Sequence, residues 1–424
     1  MCRVLSSGLI VAVLTAVASP PPAGAADWPR FRGPNGQGVS AETSVPTKWG
    51  DSENVAWKAP VRAEGWSSPV VAGGKVYLTG TTDGGKRCHV LAFDAMTGTL
   101  AWDKEVFHQV PTRKEGKNSY ATPTPATDGE SVFAVFGEGG VAAVSAGGEV
   151  RWTYTAVSHY SRHGLGASPI LYKNLVIMPF DGSRPAPDEK VGWQVPWEES
   201  FVLALDAKTG AEVWRAKRGK SRIAHATPVV FTLGGKDVLV SNAGDVLQGF
   251  DPATGQRLWS VRSVGEGLVP SVAIGGKTLF ATPGWPTPAL RAWTWGGDDP
   301  AAAPRLLWEQ PRDVPMMPSP LFVNGHVFTV SEKGIAACLD PKTGKAAWSE
   351  RLPGSYSASP VSAGGKVYAL SEQGETTVFD AGPEFGVVAR NKLPGLFQAT
   401  PAISGGRIYL RSDKFLYCVG PAGK

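Results

Sequence analysis

The sequence has few cysteines and no basic run, and both shortages narrow the range of functions. It has 4 cysteines in 424 residues and no C-x-x-C-H motif or metal-type spacing, so covalent haem and a cysteine-based metal site are not expected. Lys and Arg outnumber Asp and Glu by only 42 to 37 and do not cluster, so the charge of the chain does not indicate binding to nucleic acid. The composition also disfavours long helices, because 52 Gly and 35 Pro are distributed along the chain and both residues interrupt helices.

One long apolar run is present, and it lies near the N-terminus. Residues 4–18 are almost free of polar groups, follow Arg3, and precede the small residues 23–25, which fit a cleavage site. We therefore predict a signal peptide over residues 1–25, an N-terminal extension over 26–50, and export to the periplasm or the extracellular space. The run is too short to span a bilayer comfortably, so we predict no transmembrane segment.

The rest of the chain repeats one pattern eight times. The first half of the pattern is a small residue, then Ser or Thr, then Pro, then apolar residues. Its copies are Ser67-Ser68-Pro69, Ala121-Thr122-Pro123, Ala167-Ser168-Pro169, Ala226-Thr227-Pro228, Pro318-Ser319-Pro320, Ala358-Ser359-Pro360, Ala399-Thr400-Pro401 and a degenerate Val269-Pro270-Ser271. A Gly-Gly or Asn-Gly pair follows several copies and favours a tight hairpin, because these residues tolerate positive φ.

The second half of the pattern is Asp-x-x-Thr-Gly-x-x-x-Trp. It is intact over residues 94–102, 206–214, 251–259 and 340–348. Asp can cap its own turn, Gly supplies a positive φ, and Trp can pack against the neighbouring repeat. Each repeat is therefore predicted to be a four-stranded antiparallel blade. Together they predict an all-β, eight-bladed β-propeller over residues 51–424, present as a monomer.

The chain ends indicate how the ring closes. The eighth copy begins at Ala399 and leaves room for three strands, whereas a spare strand with Trp57 precedes the first copy. We predict that this N-terminal strand completes the last blade, which removes exposed sheet edges. Trp28 belongs to no repeat, so it is expected outside the ring, with a small contribution to stability.

The repeats resemble the pyrroloquinoline-quinone-like (PQQ-like) propeller repeat. Residues 91–102 and 203–214 are the clearest copies, and the resemblance covers nearly the whole mature chain. Residues 27–34, with the sequence Asp-Trp-Pro-Arg-Phe-Arg-Gly-Pro, resemble the opening of BamB-like exported propellers of planctomycete-type bacteria. The resemblance implies eight blades, but it does not by itself imply the quinone cofactor.

One function compatible with the resemblance is a quinone-dependent dehydrogenase. Such members of the family hold calcium, a catalytic Asp and the quinone in the central funnel, and the alcohol-oxidising ones add an adjacent cysteine pair that this sequence lacks. Counting three positions before each Pro gives the residues expected to face the channel: Trp66, Tyr120, Gly166, His225, Met317, Ser357 and Gln398, with Leu268 in the degenerate copy. This ring has no carboxylate, whereas calcium takes six to eight oxygen ligands. We therefore expect no catalytic residue, no metal and no cofactor.

The favoured function is a non-catalytic scaffold that binds a protein or peptide in the cell envelope, as BamB does. The candidate partner-binding residues are Trp66, Tyr120, His225, Met317 and Gln398 in the ring, and Trp193 and Trp197 in an insertion over residues 181–200. The ring residues could instead simply plug the channel. The insertion, which begins with Asp181, could be an acidic, aromatic partner loop or a solvated hairpin extension.

Two further sets of residues have simple structural interpretations. His159 and His163 have a spacing that could bind a metal, but no third ligand is in view, so a pair of loop histidines is expected. Cys338 and Cys418 take the place of small buried residues in other repeats, and we expect no disulfide between them.

Overall fold

The chain forms thirty-two β-strands arranged in eight sheets. The structure, a computed structural model, describes residues 27–421, so the predicted signal peptide lies outside the described residues. Every sheet has four antiparallel strands, and the helical structure within residues 27–421 is limited to a 3-10 turn at Asp83–Gly85. The predicted eight-bladed all-β propeller is confirmed. In the described part of the chain, no helix has the length and apolar character needed to cross a membrane.

Strands are numbered in chain order, and blades are numbered from the first complete repeat. Blade one comprises β2 (Val70–Ala72), β3 (Lys75–Thr82), β4 (Arg87–Asp94) and β5 (Leu100–His108), and blade two comprises β6 (Ala126–Thr127), β7 (Ser131–Val135), β8 (Val141–Ser145) and β9 (Val150–Tyr154). Blade three comprises β10 (Ile170–Tyr172), β11 (Leu175–Phe180), β12 (Phe201–Asp206) and β13 (Glu212–Lys217), and blade four comprises β14 (Val229–Leu233), β15 (Lys236–Asn242), β16 (Val246–Phe250) and β17 (Arg257–Arg262). Blade five comprises β18 (Ala273–Gly275), β19 (Thr278–Ala281), β20 (Leu290–Thr294) and β21 (Arg305–Gln310), and blade six comprises β22 (Leu321–Val323), β23 (His326–Val330), β24 (Ile335–Leu339) and β25 (Ala346–Arg351). Blade seven comprises β26 (Val361–Ala363), β27 (Lys366–Leu370), β28 (Glu375–Asp380) and β29 (Val387–Lys392), and blade eight comprises β30 (Ala402–Ser404), β31 (Arg407–Arg411), β32 (Phe415–Val419) and β1 (Val55–Pro60).

The last blade is completed by the first strand, as predicted from the chain ends. β1 pairs antiparallel with β32, and Trp57 lies opposite Cys418. The Trp57 indole donates a hydrogen bond to the carbonyl oxygen of Ala95 in blade one at 3.1 Å. Its ring also packs on Gly98, where a Cβ would come within 2.6 Å of the indole. The closing strand therefore joins blade eight to blade one by both sheet pairing and side-chain packing.

Where it is intact, the Asp-x-x-Thr-Gly turn joins a blade to the one before it. In blade three, Asp206 accepts hydrogen bonds from the Thr209 hydroxyl and backbone N–H, both at 2.8 Å, and these bonds lower the pKa of that carboxyl. Gly210 then adopts a φ of +73°, and Trp152 of blade two packs directly on it. The Trp152 indole donates to the carbonyl oxygen of Ala207 at 3.0 Å. Gly is thus required both by the backbone and by the close approach of the neighbouring Trp.

A closed ring of hydrogen bonds connects the innermost ends of all eight blades. In each blade a backbone N–H donates to the Ser or Thr hydroxyl oxygen of the next, at 2.8–3.1 Å. We call these residues the hydroxyl ring: Ser68, Thr124, Ser168, Thr227, Ser271, Ser319, Ser359 and Thr400. The repeated Ser/Thr before Pro is therefore the residue that fixes the spacing between neighbouring blades.

The N-terminal extension crosses one end of the central channel. Trp28 forms an antiparallel bridge with Val71 of blade one, and Arg32 donates to the carbonyl oxygen of Pro320 in blade six at 2.6 Å. Trp28 and Arg32 are both fully buried. Trp28 lies outside the eight four-stranded sheets, as expected, but its burial argues against the small contribution to stability expected for it. Repeats reveal only residues that recur, and the extension has no second copy in the chain.

Candidate functional site

The central channel contains a cavity of about 420 Å³. Phe31 of the N-terminal extension lines it at the end where that extension crosses the blades. All members of the hydroxyl ring except Ser271 contribute to its wall. The side chains that precede the innermost strands lie toward the opposite end, which is the mouth. The cavity is therefore a pocket with a floor supplied by the extension.

The hydroxyl ring fixes which position of each repeat faces the channel, which the sequence alone leaves open by one or two residues. Three positions before each Pro, or before Val272 in the degenerate blade, lie the channel-facing residues Trp66, Thr122, Gly166, His225, Val269, Met317, Ser357 and Gln398, and all of them line the cavity. Trp66, His225, Met317 and Gln398 are thus brought together as expected from the repeats.

Tyr120 and Leu268 are placed differently from the expectation. The Tyr120 hydroxyl donates to the carbonyl oxygen of Thr112 at 2.6 Å, and neither it nor Leu268 lines the cavity. Blade two contains two successive Thr-Pro pairs, and the second one, beginning at Thr124, occupies the ring. In the degenerate blade, Ser271 takes the Ser/Thr position rather than the Pro position. These shifts of two residues and of one residue explain both misplacements.

Carboxylates reach the cavity from loops, although the channel-facing positions hold none. Glu115 and Glu332 line the cavity, and Glu372 accepts hydrogen bonds from Lys117 at 2.9 Å and from Ser357 at 2.5 Å. The expectation of a channel without carboxylates is therefore too narrow, because it considered a single position in each repeat. Within residues 27–421, no three Asp, Glu, His or Cys side chains converge in a way that could hold a metal ion.

His225 is the most unusual polar residue of the cavity wall. It is 7% exposed, and neither ring nitrogen has a hydrogen-bond partner. Burial, and then the nearby His163 and His159, lower the pKa of His225 to about 3, so the ring is neutral at pH 7. A neutral imidazole carries one donor and one acceptor. His225 therefore presents both kinds of group, unsatisfied, at the cavity.

His159 and His163 have separate surroundings. The His159 ring packs against Phe180, with centroids 5.8 Å apart. The His163 ring lies 5.8 Å from that of His225 and 6.3 Å from that of Trp193. These contacts are aromatic packing, in keeping with the expected loop histidines.

Four loops of blades three to five form a continuous surface beside the mouth. Residues 181–200 hydrogen-bond to residues 218–228, these to residues 263–272, and these in turn to residues 282–289. The loops carry large apolar side chains that we call the rim surface: Trp193, Val195, Trp197 and Trp285. Val195 and Trp285 are 50% and 55% exposed, and Trp193 and Trp197 are half-buried. Large apolar side chains are thus held at the surface on four loops whose backbones are hydrogen-bonded to one another.

Several acidic residues of the insertion are paired with basic side chains. Asp181 is buried in an ion pair with Arg218, while Glu198 pairs with Lys220, and Glu199 with Lys217. Asp181 therefore does not belong to an exposed acidic partner loop. The sequence does not reveal these partners, because Arg218 is separated from Asp181 by two strands of the same blade.

The sequence matches the family described as outer membrane protein assembly factor BamB, over residues 47–164, 178–284 and 301–384. The chain belongs to the BamB family. The match extends from the closing strand to blade seven. No curated protein matches the chain.

Solved structures support the same fold for this BamB-family chain. BamB from Moraxella catarrhalis has 14% identity and a TM-score of 0.60, with 87% of this chain and 99% of that one covered. Quinohemoprotein alcohol dehydrogenase from Comamonas testosteroni has 13% identity and a TM-score of 0.63, with 94% and 81% covered. A europium-containing methanol dehydrogenase has 12% identity and a TM-score of 0.53, with 91% and 90% covered. At these identities the likeness shows the fold alone.

Several site residues of this BamB-family propeller could not be found from the repeats. Phe31 lies in the extension, and Glu115, Glu332 and Trp285 lie in loops that differ from blade to blade. The sequence contains one signal that could have identified Trp285. It lies in a Gly- and Pro-rich loop, where a large aromatic side chain has no neighbouring strand to pack against and is therefore expected at the surface.

Proposed function

We propose that this BamB-family chain is an exported, non-catalytic scaffold that binds a protein or peptide of the cell envelope through the rim surface. The observation that carries the proposal is the exposure of Trp285 and Val195 beside two further tryptophans on connected loops. Contiguous exposed apolar groups are a feature of interaction sites, and Trp is enriched among residues that dominate binding energy.

Trp193 is held in position before any partner arrives. The Arg162 guanidinium lies 4.0 Å from the centroid of its ring, and Arg162 is in turn paired with Glu189 at 3.2 Å. His163 contacts the ring from another side. A side chain that is already ordered loses less entropy on binding, so it contributes more to affinity.

The cavity residues can extend the same binding surface inward. Trp66 and Met317 line the wall beneath the mouth, together with Gln398 and His225. A partner segment lying on the rim could insert one side chain there. Tyr120 faces a neighbouring loop instead, so we place it outside the proposed surface.

Crosslinking tests where the partner binds. A photo-crosslinking amino acid at position 285 or 193, in protein produced in its native host, is expected to capture one envelope protein. The matched control is position 150, where Val150 is 37% exposed on the outer strand of blade two. Capture of the same protein from position 150 with equal yield would contradict a rim-specific surface.

A quinone-dependent dehydrogenase is the alternative, favoured by the fold shared with two dehydrogenases. Calcium takes six to eight oxygen ligands, commonly with Asp or Glu among them, and among residues 27–421 no three acidic, His or Cys side chains converge on one point. The lack of such a carboxylate cluster among these residues speaks against a calcium-dependent enzyme. Residues that hold the quinone would also have to balance the negative charge of its carboxylates. Lys117, which lines the cavity, is already paired with Glu372.

Calorimetric titration with pyrroloquinoline quinone and calcium separates the two functions. We expect no heat above background and no dye-linked oxidation of alcohols or sugars after incubation with both. Binding at micromolar or tighter Kd, which corresponds to about −8 kcal/mol, would favour the enzyme.

A further inference from the structure

The hydroxyl ring has hydrogen-bonding capacity that the protein leaves unused. Each hydroxyl oxygen accepts one backbone N–H, but within residues 27–421 none of the eight donates its own proton to a protein acceptor. These residues are buried, and all but Ser271 line the cavity. Hydroxyl protons that find no protein acceptor favour a cavity occupant that accepts hydrogen bonds.

The other polar groups of the cavity can both donate and accept. His225 has one nitrogen of each kind, both without a partner. The Gln398 side chain forms no hydrogen bond within the described residues, and its amide also carries a donor and an acceptor. Hydroxyl groups match such sites well, because a hydroxyl is itself a donor and an acceptor.

The charges around the cavity disfavour an ionic occupant. Lys117 is paired with Glu372, which weakens its attraction for an anion. Glu115 and Glu332 line the cavity and would repel a negative ligand. Glu115 and Glu332 would attract a positive ligand, but that ligand would have to lose its hydration among buried hydroxyl protons and a histidine that stays neutral at pH 7.

Water alone does not account for the apolar part of the wall. Water could meet the hydroxyls and His225, but Trp66, Met316, Met317, Val269 and Phe31 also line the space. An occupant with an apolar face and several hydroxyls would satisfy both kinds of wall. The volume of about 420 Å³ lies within the range of about 300–1,000 Å³ typical of small-molecule sites.

We infer that the central cavity binds an uncharged, polyhydroxylated ring: a carbohydrate unit whose hydroxyls contact the hydroxyl ring and His225, and whose C–H face packs on Trp66. The unit could be a free monosaccharide or the end of a longer glycan, because both present the same ring. The site lies beneath the rim surface, and it uses the cavity wall that the proposed function also offers to a partner side chain, so a carbohydrate and that side chain would compete for the cavity.

Titration of the purified mature protein tests this inference. The probes are D-glucose, D-galactose, D-mannose and N-acetyl-D-glucosamine, each compared with its methyl glycosides and with an oligosaccharide that ends in it. Calorimetry and Trp fluorescence should show at least one probe with a Kd of about 1 mM or tighter. Preference for the free sugar indicates a monosaccharide site, and preference for the oligosaccharide indicates a glycan end.

Two substitutions and one control assign the binding to the cavity. His225→Leu and Trp66→Ala should each weaken binding at least tenfold, whereas Val150→Ala, on the outer strand of blade two, should leave it unchanged. His225→Leu should also raise the melting temperature, because it removes buried groups that lack partners; a purely structural histidine would lower it. The inference is overturned if no probe binds at about 10 mM, or if either cavity substitution leaves the affinity unchanged. Crosslinking at position 285 is independent of both outcomes.

Discussion

Replacing Trp28 by Ala is expected to lower the free energy of unfolding by about 3–5 kcal/mol, the cost of truncating a fully buried aromatic side chain. Trp28 is 1% exposed. Its backbone exchanges hydrogen bonds with Val71 at 2.8 and 2.9 Å. Its ring packs so closely on Gly33 that a Cβ there would lie 2.8 Å away. The extension is therefore part of the hydrophobic core, not an appendage.

The matched control is Trp285→Ala, because the same residue type is 55% exposed there. We expect this change to shift the free energy of unfolding by no more than about 0.5 kcal/mol. Urea denaturation of both variants measures the difference. Similar losses of stability would contradict the role assigned to the extension, and a small loss for Trp28→Ala would do so as well.

Replacing Asp181 by Ala is expected to destabilise the protein by a similar amount, about 3–5 kcal/mol. The Arg218 side chain is 0% exposed and that of Asp181 is 1% exposed, so the change leaves a buried cation without its counter-ion. Ser241 accepts a further hydrogen bond from Arg218 at 2.7 Å, but a hydroxyl does not neutralise the charge. The remaining charge must then be hydrated at the cost of local structure.

The double variant Asp181→Ala with Arg218→Met distinguishes an ion pair from ordinary packing. Removing both charges should recover part of the stability lost in Asp181→Ala, because no unpaired charge remains. Denaturation curves for the two single variants and the double variant give the coupling energy. Strictly additive losses would show that the two side chains do not act as a pair.

The fold could be predicted because every blade repeats the same physical requirement. A Trp that packs on the Gly of the next turn leaves a visible period, and a missing last strand with a spare first strand indicates closure at Trp57. The extension could not be predicted, since Trp28 and Arg32 recur nowhere in the chain. The Asp181–Arg218 pair was also hidden, because sequence spacing does not show which residues a loop brings to the same blade.

The lining of the cavity could be predicted where it follows the repeat. Trp66, His225, Met317 and Gln398 line the cavity because they occupy one repeated position. Blade two has two Thr-Pro pairs, and no local preference distinguishes them. Counting back from the first pair therefore assigned Tyr120 to the channel, where the structure has Thr122. What selects Thr124 is its hydrogen bond with Ser68 of blade one, and such a contact exists only after the ring closes.

The measurement that tests the scaffold function most directly is the affinity of the crosslinked partner for defined variants. Once crosslinking identifies the partner segment, calorimetry with that segment compares the wild-type protein with the Trp193→Ala/Trp285→Ala double variant. We predict at least tenfold weaker binding, about 1.4 kcal/mol, with an unchanged melting temperature, because both side chains contribute binding area on the rim surface. Equal affinity for the two proteins would contradict the account.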